Sequence, residues 1–180
     1  MHDLVIRDAR PQDAAQIAGV HVRAWQSAYR GLIADEILDA QRVADRERLW
    51  SDVLGRPVVR GLPLTRVAIG GLTLLGFCSA IAHDDDADAT IGALYLEPAH
   101  LRGGIGSALL AAVLQTLAAE GRTDVVLWVL EGNLGAIAFY ERFGFAADGS
   151  RDLYQGAWEI RMRASLASSV SVSPNPTQEL

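Results

Sequence analysis

Leu101-Arg102-Gly103-Gly104-Ile105-Gly106-Ser107 is the stretch of this 180-residue chain whose residue types and spacing bear most directly on chemistry. It follows an apolar run that reads as a strand, Ala89 to Leu96, and opens a run that reads as a helix, Gly106 to Glu120. The first turn of a helix carries unpaired N–H groups and a partial positive charge, which suit phosphate oxygens. Glycines bring the backbone close to such a ligand because no Cβ stands in the way. Arg102 adds a charge-assisted hydrogen bond. The same residues also fit a tight strand-to-helix turn without a ligand. A Walker-type loop is excluded, since it needs a lysine after its last glycine and the chain has no lysine. A dinucleotide fingerprint fits in its first half, Gly104-Ile105-Gly106, with Glu131 after the next strand, but Leu109 stands where its third glycine belongs.

Further along, Asn133 and Tyr140 are seven residues apart on an expected helix. Two turns put both on one face, about 10 Å apart along the axis. Taken alone, Asn133 reads as an N-cap and Tyr140 as a core ring with a satisfied hydroxyl. Trp25 and Tyr29, four apart, share a face of an earlier helix, where aromatic rings either pack as core or can bind an ammonium or an apolar side chain. Cys78 lies in the apolar run Leu75-Gly76-Phe77-Cys78, where a small buried thiol is expected rather than a nucleophile. His21 sits on an apolar stripe and reads as packed. His83 and the four Asp residues from Asp84 to Asp88 read as a solvated hairpin tip; the functional alternatives are His83 as a base and the acids as an attractor of a cationic ligand.

The elements that must position these residues alternate in type. Leu4 to Asp8 reads as a strand. Arg10-Pro11 opens a helix whose apolar positions Ala14, Ile17, Ala18, His21, Ala24, Trp25 and Ala28 recur at the helical period, and Gly31 ends it. A second helix is expected from about Ala34 to Leu54. Leu64 to Ile69 and Leu72 to Ala82 flank Gly70-Gly71 as a hairpin. Val125 to Leu130, apolar throughout, reads as a strand buried on both faces. A helix from Asn133 to Arg142 and a strand pair near Phe145 and Ala157 to Met162 complete one α/β domain over residues 1–164. Residues 165–180 are rich in Ser, Pro and Asn and are expected to be a disordered tail.

Bulk properties narrow the classes. Hydrophobic residues make up 50% of the chain and charged ones 21%, a globular balance. A net charge of −6 leaves no basic field for nucleic acid. One cysteine allows neither an internal disulfide nor a cysteine-based metal site. The start lacks signal-peptide features and no run reaches the ~18 apolar residues of a span, so no membrane association and a cytoplasmic location are expected.

The run Ala93-Leu94-Tyr95-Leu96-Glu97-Pro98, the loop from Arg102 to Leu110, and Asn133 with Tyr140-Glu141-Arg142-Phe143-Gly144-Phe145 come in the order and spacing of the GNAT superfamily of acetyltransferases, which this sequence resembles over roughly residues 4 to 163. His21 to Trp25 and Tyr29 to Leu32 resemble its acceptor-side segment. The resemblance implies a mixed, mostly antiparallel sheet of six or seven strands with about four helices. It implies acetyl-CoA as co-substrate, held by Arg102, Gly103, Gly104, Ile105, Gly106 and Ser107 at its pyrophosphate. Leu94, Tyr95 and Leu96 would pair with its pantetheine arm, which Asn133 also contacts. Tyr140 would be the proton donor to the departing thiolate, and Trp25 and Tyr29 would wall the acceptor site. The acceptor would be a small-molecule or peptide primary amine, acetylated by direct attack in a ternary complex, with no metal.

Two departures stand out. Leu101 occupies a position where the family usually has Gln or Arg, and Arg102-Gly103 reads as the usual glycine–base pair exchanged. Many relatives carry a Glu near Thr90, whereas this strand has no carboxylate until Glu97, so the general base is unassigned. Rival readings are a non-catalytic acyl-CoA sensor and a dinucleotide-dependent enzyme. Oligomeric state stays open, with a homodimer as the default.

Overall fold

The computed structural model describes residues 4–59, 61–82 and 89–166, and within them seven strands form one sheet with helices on both faces. The acidic stretch from His83 to Asp88 and residues 167–180 lie outside the described residues. Strand β1 (Leu4–Asp8) leads through a 3-10 turn at Pro11–Asp13 into helix α1 (Ala14–Tyr29). The buried Asp13 carboxylate accepts the Arg10 N–H at 2.7 Å and both Arg7 terminal nitrogens at 2.7 and 2.9 Å, tying the first strand to the first helix. The expected stripe is buried from Ala14 to Trp25, whereas Ala28 is exposed.

The single helix expected from Ala34 to Leu54 is instead two, α2 (Asp35–Asp39) and α3 (Val43–Gly55). No glycine or proline marks the break at residues 40–42; packing makes it. Leu38 is fully buried with Trp25, Ile33 and Leu130, while Trp50 is buried with Ile17, Val67 and Phe77. Twelve residues along one straight helix would set them about 120° apart, so it could not serve both clusters. The Leu38 carbonyl is also taken by the Gln26 amide at 3.0 Å.

Then follow β2 (Leu64–Gly70), β3 (Thr73–Ile81), β4 (Ala89–Leu96), α4 (Ile105–Ala119), β5 (Asp124–Leu130), α5 (Leu134–Glu141), β6 (Ala146–Tyr154) and β7 (Ala157–Ser165). Five α-helices result among the described residues rather than about four, because the second one splits. β7 runs one residue past the expected domain end, and Leu166 beyond it is 1% exposed, so the packed fold reaches Leu166.

The strand order is β1-β2-β3-β4-β5-β7-β6. All neighbours are antiparallel except β4 and β5. One face packs α4 through Leu109, Leu110, Val113 and Leu117 onto Val125, Leu127, Val129 and Met162. Each such buried side chain contributes about 1.5–3 kcal/mol through loss of water contact. The other face packs α1 and α3 onto Val67, Leu74, Phe77 and Ala93. Among the described residues no helix is long and apolar enough to cross a membrane.

Candidate active site

β4 and β5 pair only at Ala89↔Val125, Thr90↔Val126 and Ile91↔Leu127. On its other edge β4 pairs with β3 at Ala80↔Ile91 and then Ser79↔Ala93, leaving Gly92 as the extra residue of a bulge. A bulge bends its strand and sharpens its twist. Past Gly92 the strand stays with β3 and leaves β5, so among the described residues Leu94, Tyr95 and Leu96 have no strand partner on that side. Gly76 on β3 permits this. A Cβ there would stand 2.9 Å from the Tyr95 carbonyl oxygen and 2.9 Å from Leu96 Cγ.

The separation opens into a cavity of about 810 Å³. Leu94, Tyr95 and Leu96 form one wall, Trp128 and Val129 the other. Arg102, Gly104, Gly106 and Ser107 stand at one end. Gly104 caps α4 with a left-handed φ of 78°, where a Cβ would be strained. Arg102 adopts φ 65°, unusual for a residue with a Cβ. The first helical bond runs from the Ala108 N–H to the Gly104 carbonyl at 3.0 Å. The amides of Ile105, Gly106 and Ser107 therefore lack intrahelical acceptors. Arg142 also lines this cavity, its guanidinium 5.5 Å from the centre of the Phe139 ring.

Asn133 caps α5, its side chain accepting the Ala136 N–H at 3.2 Å. Tyr140, two turns on, lines the same cavity between the rings of Phe139 and Phe145. On the opposite face of the sheet the Tyr29 and Tyr95 hydroxyls lie 3.4 Å apart. Burial pushes all three phenols above their usual range, so each keeps its proton at neutral pH. His21 stacks on Tyr95 with ring centres 4.7 Å apart, and its Nδ1 accepts from Trp50 Nε1 at 3.0 Å. Burial, with the Arg46 charge, pushes its pKa down to about 3, so it is a neutral packed residue, as its place on the stripe led one to expect.

Most expected site residues meet in this cavity: Tyr29, Leu94, Tyr95, Leu96, Arg102, Gly104, Gly106, Ser107, Asn133 and Tyr140. Ile105 turns its side chain into the core at 8% exposure, leaving only its amide for a ligand, and Gly103 is in the loop but off the cavity lining. Trp25 is 2% exposed and packs with Ile33, Leu38 and Leu130; it borders a second cavity of about 260 Å³, behind Tyr95, and not the first. Cys78 is fully buried and burial raises its thiol pKa, which leaves it a core residue. Glu97 is paired with Arg23, bolting β4 to α1. Arg142 was visible only as part of a motif. Glu159, half-buried on β7, carried no sequence signal. Among the described residues no three His, Cys, Asp or Glu side chains gather as a metal site requires.

A model of the acetyltransferase (GNAT) family matches residues 25–145, and the chain belongs to that family. A protein of Mycobacterium tuberculosis assigned as an N-acetyltransferase is 31% identical over 148 residues, 80% of each chain. In fold, the chain is similar to the PaiA N-acetyltransferase of Thermoplasma acidophilum, solved with coenzyme A, at a TM-score of 0.76 and 21% identity over 91% of this chain and 99% of that one. It is also similar to YncA of Salmonella typhimurium, solved with acetyl-CoA, at a TM-score of 0.68 and 18% identity over 97% and 99%.

Proposed function

We propose that the protein transfers the acetyl group of acetyl-CoA to a primary amine by direct attack in a ternary complex. The observation that carries this reading is the separation of β4 from β5 past Ile91, which joins the glycine loop to the Tyr140 hydroxyl in one cavity. The residues present suit acetyl-CoA at both ends. The amides of Ile105, Gly106 and Ser107, with Arg102 and Arg142 beside them, suit a pyrophosphate. The unpaired edge of Leu94, Tyr95 and Leu96 suits the amide-bearing pantetheine arm as an added strand, and Asn133 borders the same passage.

When bound, the cosubstrate supplies a thioester carbon open to a nucleophile. A backbone N–H on the free edge of β4 can donate to the carbonyl oxygen as it gains charge. Tyr140, kept protonated by burial, holds a hydrogen for the departing sulfur. The fully buried Cys78 thiol favours direct attack over a cysteine-bound acetyl group. The test is thiol release from acetyl-CoA with butylamine, spermidine and a short peptide bearing a free N-terminus. Turnover with at least one amine is expected. Coenzyme A binding with no turnover would replace this reading with that of an acyl-CoA sensor, and no binding would remove both.

A further inference from the structure

An ammonium cannot attack a thioester until it loses a proton, and β4 offers no unpaired carboxylate at the gap: Glu97 is held by Arg23. Other acids are committed too. Asp13 is paired with Arg7, Asp148 with Arg161 and Glu131 with Arg151. Glu159 is different. It is half-buried as the third residue of β7, yet among the described residues no cation or hydrogen-bond donor holds its carboxylate.

Strand register fixes where that carboxylate stands. Glu159 pairs with Leu130 of β5 on one side and Asp152 of β6 on the other. Directly paired residues project to the same face. Leu130 packs with Trp25, Ile33 and Leu38, and Ala157, two residues before Glu159, packs on the same cluster. Ile160 and Met162 pack on the α4 side instead. Glu159 therefore lies on the α1 face, one strand from the gap, whose far wall is Tyr95. The Tyr29 hydroxyl, beside Tyr95, feels the Glu159 charge. Tyr154 of β6 is on this face as well and borders the second cavity together with Tyr95. The passage is thus bordered by phenol groups, with the half-buried Glu159 beside them and the exposed Asp152 next to it.

We propose that Glu159 binds the ammonium group of the amine acceptor and takes its proton, the acceptor entering from the α1 face between Tyr29 and Tyr154. This rests on the reading of the protein as an amine acetyltransferase. The step balances. The Glu159 carboxylate gains one proton as the ammonium becomes an amine. The nitrogen bonds to the acetyl carbon while the carbon–sulfur bond breaks, its electron pair passing to sulfur. Tyr140 gives the sulfur a proton and regains one from the nitrogen. One proton is left on Glu159 and passes to water.

The surroundings suit this task. Burial, with the Asp152 charge, raises the Glu159 pKa from its ordinary value, which favours it as a proton acceptor over an exposed carboxylate. The groups facing it are Tyr29 from α1, Tyr95 from β4, Asp152 and Tyr154 from β6, and Arg161 along its own strand, which is ion-paired to Asp148. α2 contributes Asp35 and Asp39, both bound to Arg30.

The experiment compares wild type with Glu159→Gln, using whichever of butylamine, spermidine or the peptide turns over, across pH 6–9. The variant is expected to lose about 100-fold or more in kcat/KM at pH 7, with coenzyme A affinity unchanged. The loss should shrink as rising pH supplies free amine, and Glu159→Asp should recover part of it. An unchanged kcat/KM in Glu159→Gln, or a loss equal at every pH, overturns the proposal while leaving the acetyltransferase reading intact. Wild type inert toward every amine defeats that reading first. Should Glu159→Gln fail to bind coenzyme A, Glu159→Asp decides: it must keep coenzyme A affinity while its kcat/KM falls and regains with pH, and wild-type kcat/KM in Glu159→Asp overturns the proposal.

Discussion

Acidification between pH 7.5 and 5 should weaken the fold through His21, and the size of the effect follows from its surroundings. The ring is 8% exposed, stacked on Tyr95, flanked by Phe77 and Trp50, and under the field of Arg46. Its Nδ1 accepts the Trp50 indole N–H, so a proton there would set two donors against each other. The folded pKa is about 3 against an unfolded value of 6.5. Between these values the unfolded chain binds the extra proton and the folded one does not, so stability falls as pH falls. The contribution is complete above pH ~6.5 and reaches a loss of about 2 kcal/mol by pH 5. For a domain of this size that is a drop in Tm of about 4–8 °C. Urea unfolding followed by tryptophan fluorescence at pH 5, 6 and 7.5 measures it, with His21→Asn as the control. The Asn Oδ1 can still accept from Trp50 but takes no proton in this range. Wild type should lose about 2 kcal/mol more than His21→Asn between pH 7.5 and 5. Equal pH dependence in the two proteins would refute the reasoning.

Tyr140→Phe should lower kcat by about 100-fold, the scale of a lost proton donor, while coenzyme A affinity by calorimetry stays within about twofold. Unchanged turnover would remove Tyr140 from the chemistry. Gly76→Ala places a Cβ 2.9 Å from the Tyr95 carbonyl oxygen, a backbone atom that cannot swing aside. It should cost about 1–3 kcal/mol in unfolding free energy and, on the proposed cofactor placement, weaken coenzyme A binding, because β4 must shift along its unpaired edge.

The parts of the site legible in the sequence are those whose physics is local. A glycine at a helix start, an Asn three residues before the amide it caps, and a tyrosine two turns further on depend only on neighbours along the chain. The structure puts them where spacing led one to expect, with Gly104 at positive φ and Asn133 accepting from Ala136. The β2–β3 turn at Gly71 was legible for the same reason. The break between α2 and α3 was not, because it follows from Leu38 and Trp50 belonging to different clusters. Trp25 could be read as core or as cavity wall from its helix face alone; only the tertiary packing shows it buried against Leu38 and Leu130 while bordering the second cavity. Glu159 is one acid in a strand until β7 is aligned with Leu130 and Asp152.

The gap itself is the least local feature of the candidate site. Six adjacent strand pairs form the sheet, and the one parallel pair, β4–β5, is where it opens. Parallel neighbours cannot be joined by a tight hairpin, so the chain must leave β4, cross over as α4 and return as β5. That crossover sets the start of α4, with its unpaired amides, at the carboxyl end of β4, where ligands of open α/β sheets collect. The Gly92 bulge then turns the last residues of β4 away from β5 at that same end. A hairpin between these strands would have left a short turn and no helix start beside the opening. Connectivity therefore sets the unpaired amides of α4 beside the opening, the bulge turns β4 away to make the slot, and the register of β7 against β5 places Glu159 on the α1 face one strand from it.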